Sequence, residues 1–309
     1  MRFSLIATAL LLASASVHAQ DTMIPAMPVL PPPAMKPVVA PAPAPQAATS
    51  AEAAGKQIGP LDSVLAGDWR SDANRARDGY RHPRETLTFF GVEPDQTVIE
   101  MWPGGGWYAE VLAPLLRDAG NYTGVIVDPA KQADADGTAY AERTNSKLRA
   151  LFEKRPDVFG KARLLEAGSA APVLGAANSA DVVLTFRNAH NWVMDGNEKA
   201  MFKAMFEVLK PGGTLGVVDH RAKPDQPAAE MKKSGYLPEA FVISLAEAAG
   251  FKLEAKSEIN ANPRDTKDYP DGVWTLPPRL AKGEVDRARY LAIGESDRMT
   301  LRFSKPAKP

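Results

Sequence analysis

Two histidines in this sequence are placed among side chains that could move a proton. His190 follows Arg187 and Asn188 and precedes Asn191, while His220 lies between Asp219 and Arg221. Histidine changes charge closest to neutral pH, so it suits removal of a proton from a hydroxyl or amine as that group attacks an electrophile. His190, His220 and the neighbouring Asp219 are therefore the candidate catalytic residues. The same three could assemble a zinc site, but no local spacing demands one, and the expectation is no metal. A hydrogen-bonded histidine that only shapes a rim is the plain alternative for either position.

A second group is the run Pro103-Gly104-Gly105-Gly106, set directly after an apolar stretch and directly before a helical one. Glycines there let backbone approach a ligand closely, and the free N–H groups of a helix start suit a carboxylate or phosphate. No Gly-Lys-[Ser/Thr] follows, so the run is not a P-loop. Gly104-x-Gly106-x-x-Ala109 does match the loose dinucleotide pattern, with Asp128 at the end of the next strand-like run. An acid in that place can accept both ribose hydroxyls of a nucleoside; a loop-capping carboxylate is the other reading.

These residues need elements to carry them, and the pattern supplies them. Continuous apolar runs at 97–101, 122–128, 162–165, 181–186 and 214–219 predict strands. Helical spacing at 107–116, 138–152 and 197–209 separates them, the last with Met201, Phe202, Met205, Phe206 and Leu209 on one face. Runs that are apolar throughout, each followed by a helix, imply a parallel sheet covered on both faces. A helix at 237–249 ends at Gly250. Then 251–259 and 299–303 read as two strands with no helix between them, antiparallel at the sheet edge. In such a sheet, ligands bind beyond the carboxyl ends of the strands, where the strand order switches. The long polar stretch from Asn260 to Pro278, with Tyr269 and Trp274 in it, reads either as a lid over that place or as a packed surface loop.

Composition bounds the rest. The chain has 309 residues, 45% hydrophobic, with 37 Lys and Arg against 37 Asp and Glu. Zero net charge gives no electrostatic footprint for nucleic acid or an anionic membrane. The absence of Cys excludes disulfides, thiolate metal sites and a cysteine nucleophile. Residues 1–19 read as an export leader: Arg2, an apolar run from Phe3 to Ala13 too short to span a bilayer, then Val17-His18-Ala19 before Gln20. Residues 20–59 form a Pro/Ala-rich linker, with Ala40-Pro41-Ala42-Pro43-Ala44-Pro45 its plainest part, and 60–309 the folded domain. The expectation is an exported, periplasmic protein without a membrane span; its oligomeric state is unreadable.

The layout resembles the class I S-adenosylmethionine-dependent methyltransferases, a Rossmann-like α/β fold with a mostly parallel, doubly wound sheet and an antiparallel terminal strand. The matching pieces are Val98 through Gly106, Asp128, the turn Leu209-Lys210-Pro211-Gly212-Gly213 and the two terminal strands. The resemblance covers roughly 87–303, and the Lys-Pro-Gly-Gly turn is its most specific part. More narrowly, the chain is similar to exported methyltransferase-like proteins with Trp-Pro-Gly-Gly-Gly-Trp-Tyr, Arg-Asn-x-His and Gly-Glu-Ser-Asp-Arg-Met segments. The resemblance implies S-adenosylmethionine as cofactor, with Glu100 near its methionine end, Gly104, Gly105 and Gly106 along its backbone, Asp128 on its ribose and Arg187 beside it. Two positions depart from the family pattern: Trp102 stands where the first glycine is usual, and Ser169 where an acid usually meets the adenine amine. The implied function is methyl transfer to a small-molecule or envelope acceptor. A catalytically silent ligand-binding protein on the same fold is the alternative, and the Lys-Pro-Gly-Gly turn and terminal strands argue against a nicotinamide enzyme.

Overall fold

Val98 and Ile99, adjacent in one strand, are both buried but belong to different cores, and so are Val182 and Val183. That is the signature of a sheet with a helical layer on each side. The computed structural model describes residues 59–307. The leader and linker readings fall on residues 1–19 and 20–59, outside the described residues apart from Gly59.

In chain order the elements are α1 (Pro60–Leu65), α2 (Asp72–Arg75), α3 (Asp78–Arg81), α4 (Pro83–Phe90), β1 (Thr97–Met101), α5 (Ala109–Leu115), β2 (Asn121–Val127), α6 (Ala135–Lys154), α7 (Pro156–Phe159) and β3 (Arg163–Ala167). They continue with β4 (Ala180–Phe186), α8 (Ala189–Asp195), α9 (Glu198–Val208), β5 (Leu209–His220), α10 (Ala228–Ser234), α11 (Glu239–Ala248), β6 (Lys252–Ser257), α12 (Arg287–Ile293) and β7 (Arg298–Ser304). The seven strands lie in the order β3-β2-β1-β4-β5-β7-β6. Strands β1 to β5 are parallel neighbours, and β7 runs antiparallel to both β5 and β6. The chain has the class I methyltransferase fold expected of it. The order switches between β1 and β4, which puts the ligand-binding crevice past Met101 and Phe186.

One core joins α8, α9 and α11 to the sheet through Trp192, Phe202, Met205 and Val242; the other joins α4, α5, α6 and α7 through Phe90, Leu112, Leu148 and Phe159. Edge strand β6 alternates exposed and half-buried residues, as a strand covered on one face must. The segment between β6 and β7 corrects the sequence reading: it holds a 3-10 turn (Gly272–Thr275) and helix α12. Helix α12 buries only Tyr290 and exposes Leu291, so it shows no apolar stripe to read. The segment is anchored rather than loose. Asn260 donates to Thr86 and Thr300, Asn262 to the carbonyls of Ile293 and Glu295, and Asp265 accepts from Tyr236 and the Asp297 N–H.

Candidate functional site

The strand ends at the switch point hold backbone that glycine would usually supply. Trp102 (φ 44°) and Arg187 (φ 64°) both take left-handed conformations, an arrangement concentrated at functional sites. Trp102 thus keeps the bend of the glycine it replaces while projecting an indole against Trp192, ring centroids 5.6 Å apart. Asn188 ties the two strand ends together by donating to the Met101 carbonyl at 2.7 Å. Beyond Trp102, Gly104 (φ 60°) has open space where a Cβ would stand. At Gly106 (φ 91°) a Cβ would lie 2.8 Å from Leu151 and 2.9 Å from Leu148. Gly104 leaves its backbone open to a ligand, and Gly106 lets α6 approach.

Two cavities open here, of about 940 and 270 Å³. They share Trp102, Pro103, Gly104, Tyr140, Asn188 and Asn191 in their walls, so they are lobes of one cleft. The smaller lobe is closed by Ile126, Val127, Asn145, Ser169 and Met194. Asp128 lines neither lobe: its carboxylate accepts the Ala130 N–H at 3.0 Å and lies 3.8 Å from Lys131 Nζ. Gly105 lines the larger lobe, and Gly106 lines neither.

The larger lobe contains the candidate chemistry. Asp219, fully buried at the end of β5, accepts three N–H groups: His190 Nδ1 at 2.8 Å, the His190 amide at 3.2 Å and the His220 amide at 2.7 Å. One of these donors, the His190 amide, lies in the first turn of α8, where a carboxylate is favoured by the helix dipole. With Nδ1–H donated to Asp219, His190 keeps its proton-accepting lone pair on Nε2. That atom makes no hydrogen bond to the described residues, and His190 lines the cavity. His220 is placed differently. Arg187 Nε, which can only donate, meets His220 Nε2 at 3.3 Å, so the proton sits on Nδ1 and is shared with Ser296 Oγ at 2.5 Å. Burial, then the nearby His190, Arg187, Arg298 and Arg81, hold its pKa well below the usual histidine range.

His190, Asp219 and His220 bring their ligand atoms within 4.8 Å of one another, the spacing of a metal site. The donor set does not fit one. Asp219 is filled by three N–H groups, and a guanidinium stands at the only unprotonated nitrogen of His220. Arg221 is turned away into pairs with Asp297 and Glu258.

Glu100 lies on the lobe's floor, 2% exposed, opposite Gly124 on β2 and accepting the Tyr122 hydroxyl at 2.7 Å. Burial pushes its pKa up to about 8, against the Tyr122 hydrogen bond and the charge of Arg81. The sequence reading missed Arg81 on α3 and Arg77 just before it, which reach the lobe from ahead of β1 together with Asn74 on α2. Arg81 lies 4.6 Å over the Trp107 ring, and Arg77 and Arg81 both pair with Glu295. The one available signal was five arginines at 70, 75, 77, 81 and 84, hidden by the zero total charge. Trp274, Pro278 and Arg279 from the β6–β7 segment form the outer wall, Trp274 6.2 Å from the His190 ring.

No family model matches the chain, and no curated protein matches it in sequence. Solved structures do. The [4+2]-cyclase SpnF shares 16% identity with a TM-score of 0.54 over 81% of this chain and 93% of its own. A SAM-dependent methyltransferase from Aquifex aeolicus is 18% identical (TM-score 0.44; 60% and 87% covered). An arsenic(III) S-adenosylmethionine methyltransferase from Chlamydomonas reinhardtii is 15% identical (TM-score 0.45; 81% and 74%). The strand order of this chain and the cleft at its switch point are those of the class I S-adenosylmethionine-dependent methyltransferase fold. Fold alone does not choose the reaction, as a cyclase among the neighbours illustrates.

Proposed function

We propose that this protein is an exported S-adenosylmethionine-dependent methyltransferase acting on a small-molecule or envelope acceptor. The observation that carries the reading is the Asp219–His190 pair, whose free Nε2 opens on the larger lobe of a cleft continuous with the glycine loop. The residues present fit the cofactor: the smaller lobe mixes apolar walls with uncharged polar ones and a single acid, Asp195, and Gly104 offers approachable backbone where the lobes meet. Ile126, Val127, Asn145 and Ser169 would hold the nucleoside, and Gly104 and Glu100 the amino-acid end. Bound there, the cofactor supplies an electrophilic methyl carbon. Asp219 fixes the orientation of the His190 ring through Nδ1, and His190 Nε2 takes the proton the acceptor loses as it attacks. His220, with both nitrogens engaged, is a positioning residue for Arg187. Export rests on the leader reading of residues 1–19.

The test is calorimetric titration with S-adenosylhomocysteine, followed by incubation with methyl-labelled S-adenosylmethionine and an envelope extract. Micromolar binding is expected, lost in Ser169→Trp, which fills the smaller lobe. Label transfer is expected from the wild type and not from His190→Ala, which still binds S-adenosylhomocysteine. A folded wild-type protein that binds neither cofactor form would overturn the reading.

A further inference from the structure

The cations of the larger lobe outnumber the anions that answer them. Arg77, Arg81, Arg143, Arg187 and Arg279 line it, against the single lining acid Glu100. Behind the wall, Glu295 answers Arg77 at 2.7 Å and Arg81 at 3.2 Å, and also Arg298 at 3.2 Å. One carboxylate is thus divided among three guanidiniums. Among the described residues the Arg187 side chain has no carboxylate partner, and its only hydrogen bond goes from Nε to His220.

The bonds that do form use one end of each group. Arg77 and Arg81 hold Glu295 through Nε, and Arg187 holds His220 through Nε. No Nη of these three arginines donates to a described residue, and Arg77 Nη2 is a buried nitrogen with no partner at all. Leaving the buried Arg77 Nη2 unmet costs roughly 1–3 kcal/mol, more because it is charged, and the other Nη groups are uncommitted donors on the wall of the same lobe. Paired Nη groups are the fork that grips a carboxylate or phosphate by two parallel hydrogen bonds. The forks are fixed: Trp107 lies under Arg81, and His220, held by Ser296, orients Arg187.

We infer that the larger lobe binds a small acceptor through an oxyanion, a carboxylate or phosphate, gripped by Arg77, Arg81 and Arg187 within reach of His190. This rests on the methyltransferase reading for the word acceptor; the oxyanion grip itself does not. A second argument comes from that reading. A positively charged cofactor beside unanswered guanidiniums is repelled by them, and an anionic co-substrate removes the repulsion. Binding of the two is then mutually favourable, each tightening the other.

The test titrates the full chain with inorganic phosphate and, separately, benzoate at constant ionic strength, with and without saturating S-adenosylhomocysteine. Saturable binding of at least one probe is expected, weakened tenfold or more by Arg187→Gln and by Arg77→Gln. Arg77 is the better-tolerated site, being partly exposed. Arg289→Gln, an exposed arginine on α12, should change nothing. S-adenosylhomocysteine should not displace the probe. The inference is overturned if a folded wild-type protein binds neither probe, if neither variant weakens binding, or if S-adenosylhomocysteine competes. Competition would assign these arginines to the cofactor's own carboxylate. Oxyanion binding by a protein that ignores S-adenosylhomocysteine would instead sink the methyltransferase reading and keep the anion site.

Discussion

The smaller lobe of the cleft takes its walls from β2, α6, α8 and the turns after β1 and β3, all parts of the sheet's own crossovers. Its only charged wall residue is Asp195. The larger lobe is assembled from remote pieces: Arg77 and Arg81 ahead of β1, Arg187 after β4, and Trp274 and Arg279 from the segment after β6, with Glu295 of that segment behind them. One lobe follows from the fold. The other is added to it, and it is where guanidiniums gather. The contrast suggests a shared fold supplying one ligand subsite while chain-specific segments supply the other, in line with function being grafted onto a scaffold.

The largest effect should come from the added lobe. Glu295→Gln removes the one carboxylate shared by three arginines and is expected to cost on the order of 3–5 kcal/mol in a urea titration. Burial alone would raise the pKa of Glu295, but Arg81, Arg298, Arg77 and Arg187 bring it down to about 2. Its contribution is therefore present above the ordinary carboxylate range and should fade as pH falls from about 4.5 toward 2. A loss below about 1 kcal/mol would mean that solvent already answers these arginines, and the contrast between lobes would weaken.

Next is Gly106→Ala in the fold's own part of the site. A Cβ at 2.8 Å from Leu151, on backbone at φ 91°, should cost about 2–3 kcal/mol. Gly104→Ala meets no atoms and should cost about 1 kcal/mol from backbone alone, so the pair separates crowding from conformation.

Glu100→Gln tests the floor of the larger lobe. The folded-state pKa of about 8 lies above the ordinary 4.5, so the protonated acid is the form the fold accepts. Stability from this residue is complete below about 4.5 and is lost as pH rises through 8. The amide escapes that loss: the variant should melt with the wild type at or below about pH 4.5 and several degrees above it at pH 9. Equal melting at both values would show that Glu100 ionises without penalty.

Asp128→Ala should be the mildest, about 1 kcal/mol or less, since its carboxylate caps only a short 3-10 turn. A tenfold loss of S-adenosylhomocysteine affinity at unchanged stability would show that it swings to a ribose on binding.

How much of this the sequence discloses also divides along the two lobes. All seven strands and helices α6, α9 and α11 announce themselves, because each run is long or bounded by glycine and proline, although β5 starts at Leu209 and so runs through the Pro211-Gly212-Gly213 break the sequence predicts. Helices α2 and α3 have four residues each, too few for a helical period, so Arg77 and Arg81 carry no positional signal. His190 and His220 are visible as a pair, yet their unequal roles depend on Ser296 and Arg187 meeting one ring and Asp219 the other. Those contacts join residues up to 76 positions apart, beyond any local pattern.

Strand β7 comes last among the strands and yet lies inside the sheet, between β5 and β6. A ribosome releasing this chain would for a time expose the bare edge of β5, with Arg77 and Arg81 still waiting for Glu295. Folding that began early would thus stall at a half-sheet open to strand exchange with its neighbours. Strand β7 acts as a latch. A chain held unfolded until β7 is available would close it in one concerted step.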